Sequence, residues 1–73
     1  MLLAALGAEI RRRRTILGLT QGKLAATAGV HINVIGRTER GVFNPTVLTL
    51  QAIARALEVP IAELVGEAAK AAR

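Results

Sequence analysis

The sequence predicts an all-α fold: a compact bundle of five helices forming one domain over residues 1–73. Three observations carry that expectation. Apolar residues make up 52% of the chain but are almost entirely Ala, Leu, Ile and Val, with Phe43 the sole aromatic, which suits tightly packed short helices better than a sheet. Those apolar residues recur at helical spacing. Gly18, Gly29, Gly41, Asn44-Pro45 and Pro60 then divide the chain into segments, with no internal repeat and no linker between them.

The first helix is expected over about residues 2–17, with Leu3, Leu6, Ile10 and Leu17 on one stripe. The run Arg11-Arg12-Arg13-Arg14 follows Ile10, and because each residue turns a helix by about 100°, four arginines cannot share a face. The stripe continues at position 13 or 14, so one guanidinium lies at the core edge and needs a carboxylate. Glu39 is the candidate partner, and it is assigned to Arg14. Arg11 and Arg12 face either solvent or phosphate. Gly18 closes the helix, and Thr20 is an N-cap for a second helix over 21–28 with Leu24, Ala25 and Ala28 inward. Gly29 breaks that helix and Val30 plugs the gap before a third, over about 31–39. There Ile35 and Thr38 point inward, Ile32, Asn33, Gly36 and Arg37 fall on another face, and Gly41 marks the stop. Two helices of about two turns joined by a short glycine-containing turn make a helix-turn-helix. After the loop Val42–Asn44, Thr46 caps a fourth helix (about 46–57) carrying Val47, Leu50, Ile53, Ala54 and Leu57. Pro60 precedes a fifth (about 61–72) with Ile61, Leu64 and Val65 apolar, and an alanine-rich tail that either extends it or frays.

Charge is distributed unevenly. Residues 1–41 hold seven basic side chains against two acidic ones, whereas residues 42–73 hold three of each, so the whole net charge of +5 sits with the helix-turn-helix. A polyanion is the partner this implies. The absence of cysteine and the single histidine leave nothing for a disulfide framework or a zinc site, and no cofactor is expected. The apolar start Met1–Leu6 precedes its basic run, the reverse of a secretory signal, and no apolar stretch approaches the roughly 20 residues that cross a bilayer. A cytoplasmic, soluble protein with no membrane partner is the expectation. No nucleophile–base set or phosphate-cradling glycine loop is present, so an enzyme is not expected.

The residues on the outer side of the helix-turn-helix match the chemistry of duplex DNA. The Asn33 amide fits adenine bidentately, the Arg37 guanidinium fits guanine, and Ile32 suits a thymine methyl. Spacing puts Asn33 and Arg37 one turn apart on the same side. The exposed start of the second helix offers backbone N–H groups to a phosphate, with the Gln21 amide beside them. His31 reads as a capping or phosphate-facing residue, and Arg40 and Asn44 complete the candidate contact set.

The segments GLTQGKLAATAGV, VIGRTERG, NPT, LQAIARALEV and IAEL together resemble the phage-repressor and Cro-like helix-turn-helix family, that of the xenobiotic-response-element type regulators. The resemblance spans Ile10 to Val65. It implies a lambda-repressor-like five-helix domain that binds operator DNA as a symmetric pair, with the third helix in the major groove. It implies phosphate anchoring by Gln21, base reading by Ile32, Asn33 and Arg37, and a buried Arg14–Glu39 pair. The chain departs from the pattern at Gly22, Val34, Gly36 and Thr38, where better helix formers, polar residues, serine and a large apolar residue are usual. The function expected is a sequence-specific transcriptional regulator, a repressor acting as a weak dimer through Ile61, Leu64 and Val65. The alternative is a protein-interaction module, an antitoxin or regulator subunit, that uses Ile32 and Val34.

Overall fold

The alternation of helical stretches with glycine and proline stops produces five helices in a computed structural model that describes residues 1–72. They are α1 (Leu2–Ile16), α2 (Gln21–Ala28), α3 (Ile32–Glu39), α4 (Val47–Ala56) and α5 (Ile61–Ala71). Three starts are capped by side chains that satisfy otherwise orphaned N–H groups. Thr20 Oγ1 accepts the Lys23 N–H at 3.0 Å, His31 Nδ1 the Asn33 N–H at 3.0 Å, and Thr46 Oγ1 the Thr49 N–H at 3.1 Å. At the turn between α2 and α3, Gly29 takes φ +73°, a left-handed conformation open to glycine, and the Val30 N–H returns to the Ala25 carbonyl at 3.0 Å. Val30 is thereby packed against the core.

Ile10, Leu24, Ile35, Ile53 and Leu64, one from each helix, have no exposed surface. Each is worth roughly 1.5–3 kcal/mol of burial. Because every helix contributes to the same cluster, none is stable apart from the others. α1 lies against α5 and α3, α2 bridges α3 and α4, and α4 meets α5. Ala68, fully buried, carries the alanine-rich tail into α5 as regular helix as far as Ala71.

The contact between α1 and α3 is unusually close. A Cβ placed on Gly7 would stand 2.3 Å from the Thr38 carbonyl oxygen and 2.6 Å from that of Glu39. Gly7, Ile10 and Arg14 share a face of α1, so this backbone approach is what brings Arg14 to the last turn of α3.

The structure corrects three sequence-based expectations about the apolar faces. Leu17 is 43% exposed, because α1 ends at Ile16 and the stripe leaves the bundle there. Val47 is 75% exposed, since it opens the first turn of α4, whereas Leu50, Ile53, Ala54, Ala56 and Leu57 reach the core. Leu64, expected on a dimer surface, is spent in the chain's own core, whereas Ile61 and Val65 are half-buried at its edge. Arg73, the last residue of the fifth segment's basic tail, lies outside the described residues. Among the described residues, no helix is long and apolar enough to cross a membrane.

Candidate nucleic-acid interface

The first turn of α2 and the outer face of α3 meet in a shallow cleft lined by Gln21, Ile32, Asn33, Gly36, Arg37 and Arg40. Local sequence explains why it is open. The Ile32 side chain lies over the first turn of α2, its Cδ1 3.5 Å from where a Gly22 Cβ would be, and Gly36 leaves the middle of the cleft without a side chain. On the inner side of α3, Ile35 is fully buried and the Thr38 hydroxyl donates to the Val34 carbonyl at 2.6 Å, so this small polar residue in the core has its partner.

An ion-pair network reaches the cleft through Gln21. Arg14 Nε and Nη2 donate to the Glu39 carboxylate at 2.6 and 3.0 Å, a bidentate pair, while Arg14 Nη1 donates to the Leu19 carbonyl at 2.8 Å. Gln21 Nε2 donates to Glu39 Oε1 at 3.0 Å. One buried carboxylate thus joins α1, the end of α3 and the start of α2. Hydrogen bonding to Glu39 raises the Arg14 pKa above its ordinary value, against the opposing effect of burial. Glu39 sits at the C-terminal, electronegative end of α3, and the guanidinium offsets that placement.

The arginine run divides by role. Arg12 pairs with Glu9 at 2.7 Å, Arg13 with Glu9 at 2.6 Å and Glu63 at 2.9 Å, and Arg14 with Glu39. Arg12's hydrogen bonds hold the Glu9 carboxyl below its ordinary pKa, burial opposes them, and Arg13 adds to the lowering. Three of the four arginines are therefore neutralised within the chain. Among the described residues, Arg37 and Arg40 have no carboxylate partner, so both cleft arginines keep their charge uncompensated, whereas Arg11 and Lys23, also unpaired, lie outside the cleft lining.

Arg37 has a different neighbour. Its guanidinium carbon stands 5.6 Å from the centroid of the Phe43 ring, within cation–π range. Phe43 was not among the sequence-predicted site residues. The available signal was its being the only aromatic, placed just beyond the glycine stop of α3. Of the other candidates, Asn33 is exposed in the cleft, His31 caps α3 with its Nδ1, and Asn44 is exposed on the α3–α4 loop outside the cleft lining.

Residues 10–64 match the helix-turn-helix family, spanning α1 from Ile10 through to Leu64 of α5. The chain belongs to this family, in its Cro/C1-type branch. It is similar to an uncharacterised HTH-type transcriptional regulator, y4dJ, of Sinorhizobium fredii, 42% identical over 59 residues that cover 81% of this chain and 77% of that protein. A second relative, an uncharacterised HTH-type transcriptional regulator of Sinorhizobium medicae, is 38% identical over 75% of this chain, which spans only 40% of the relative's length. Among solved structures, the clp gene regulator ClgR of Corynebacterium glutamicum superposes with a TM-score of 0.90 at 31% identity, covering 97% of this chain and 76% of that one. The restriction-modification controller protein C.AhdI of Aeromonas hydrophila gives a TM-score of 0.83 at 34% identity, over 85% and 94%. The chain is thus a transcriptional regulator with a helix-turn-helix DNA-binding fold.

Proposed function

We propose that the regulator binds operator DNA with α3 in the major groove and acts as a repressor, two copies spanning one duplex turn. The observation that supports this most is the convergence of Asn33, Arg37 and Arg40, free of acidic partners, on one cleft beside the start of α2. In this arrangement Arg37 reads guanine, Asn33 reads adenine and Ile32 meets a thymine methyl. The Gln21 amide keeps one hydrogen beyond its bond to Glu39, and it lies with the Gln21 and Gly22 N–H groups where a phosphate would sit. His31 and Asn44 flank the groove as backbone contacts. Pairing through Ile61 and Val65 engages little apolar surface once Leu64 is excluded, so the dimer is weak and strengthened by DNA.

Fluorescence-anisotropy titration against a generic duplex and the duplex upstream of the protein's own gene tests this. Affinity falls with salt at a slope near −0.9 per phosphate contacted, and the upstream duplex binds more tightly. Arg37→Glu with Arg40→Glu abolishes both. Ile32, 47% exposed in the cleft, favours a second reading in which α3 docks on a protein. That contact would survive the charge reversal, and it becomes the better account if neither duplex binds at low salt.

A further inference from the structure

The chain's sole aromatic residue lies outside the buried core cluster. Phe43 is half-buried, and the feature that engages its ring is Arg37. Its placement follows from the way α3 ends. The Gly41 N–H donates to the Thr38 carbonyl at 3.0 Å and the Val42 N–H to the Arg37 carbonyl at 3.1 Å, a paired closure that reverses the chain. The residue after Val42 therefore comes back alongside the turn that carries Arg37. Gly41 has φ +74°, and a Cβ there would stand 2.9 Å from Ala4 Cα, so packing against α1 fixes the same path from the other side.

Arg37 lacks what holds the other structural arginines. Among the described residues, Arg12, Arg13 and Arg14 are locked by carboxylates, whereas Arg37 makes no side-chain hydrogen bond or ion pair. An unsupported arginine on an exposed helix loses rotamer freedom when it binds a base, and an aromatic face removes part of that loss in advance. We propose that Phe43 is a positioning residue: its ring holds the Arg37 guanidinium over the cleft and so sets the strength and selectivity of the base contact Arg37 makes. The proposal rests on the DNA-binding function above.

The test begins with wild-type protein and a duplex library with a randomised core, from which the bound sequences are selected. Arg37→Ala identifies the base pair that depends on Arg37. Phe43→Leu, which keeps apolar bulk but removes the ring, weakens binding to the selected duplex about 2- to 5-fold and relaxes preference at that same base pair. It changes binding to a scrambled duplex and the salt slope little. Phe43→Tyr restores wild-type behaviour. In the Arg37→Ala background, Phe43→Leu has no further effect. In free protein, the Arg37 side-chain proton resonances lose their ring-current shift in Phe43→Leu and keep it in Phe43→Tyr. The proposal is overturned if Phe43→Leu binds and discriminates as wild type does, if it weakens both duplexes equally, or if it weakens binding in the Arg37→Ala background too. Wild-type protein that selects no sequence refutes the sequence-specific operator binding proposed above, and the proposal falls with it.

Discussion

Replacing Gly7 with alanine sets two effects of opposite sign against each other. In an exposed helix interior, Gly→Ala stabilises by roughly 1 kcal/mol. At Gly7 the new Cβ would stand 2.3 Å from the Thr38 carbonyl oxygen and 2.6 Å from that of Glu39, both main-chain atoms that no rotamer change can move. Relieving that contact requires α1 to retreat from α3 by about 1 Å, toward the ordinary C···O separation. The same shift would stretch the 2.6 Å Arg14–Glu39 hydrogen bond two turns along the helix. Overpacking typically costs about 1–3 kcal/mol, occasionally more, and the loosened ion pair adds to it, so the clash outweighs the propensity gain. A net loss of about 2 kcal/mol lowers the thermal midpoint by about 8–16 °C in a domain of this size. Gly36→Ala is the control. Its Cβ would meet only Arg40 Nη1 at 3.5 Å and Gln21 Oε1 at 3.6 Å, so the propensity gain stands and the midpoint rises by several degrees. Urea and thermal unfolding followed by circular dichroism measure both. A Gly7→Ala protein as stable as wild type would show that the α1–α3 contact yields easily, and would sink the reasoning.

Arg14→Met removes the main partner of a Glu39 side chain that is 3% exposed, and costs about 3 kcal/mol or more in urea unfolding; Arg14→Lys, which cannot pair bidentately, recovers only part of it. Glu9 has a folded-state pKa below its ordinary value, so its contribution is fully present above the unfolded carboxylate pKa of about 4.3 and is lost as pH falls through the folded value. Stability measured by urea midpoints therefore drops as the pH falls below the ordinary carboxylate range, and Glu9→Gln flattens that part of the profile. Glu58 holds φ +62° at the end of α4, where its N–H bonds the Arg55 carbonyl at 3.0 Å. Glu58→Gly relieves the strain of a left-handed non-glycine residue and raises stability by up to about 1 kcal/mol, read as a higher thermal midpoint.

Much of this fold is legible because its helix boundaries are written in single residues. Thr20 and Thr46 cap, Gly29 and Gly41 stop, and the stripes containing Ile10, Leu24, Ile35, Ile53 and Leu64 supply one buried side chain from each helix. An arginine on an apolar stripe demands a carboxylate, which is how Arg14 leads to Glu39. Periodicity is less informative at helix ends, where a residue in phase with the core can already stand beyond it, as Leu17 and Val47 do. Nor can it separate an apolar face that packs within the chain from one that packs on another copy, and Leu64 falls on the first side of that line. Other features depend on three-dimensional proximity that spacing does not encode. Gly7 reads in sequence only as a helix penalty, Glu58 carries none of the glycine signal of the other stops, and Phe43 meets Arg37 only because the chain reverses between them.

In the proposed function, duplex DNA lies against the cleft between α2 and α3. Amide chemical-shift mapping of isotope-labelled protein, titrated with the duplex upstream of its own gene, tests it most directly. The largest shifts are expected at Gln21, Gly22 and residues 31–40, saturating together, with smaller ones near Asn44. Shifts concentrated instead on the exposed side of α1 or on α5, with residues 31–40 unmoved, would contradict it.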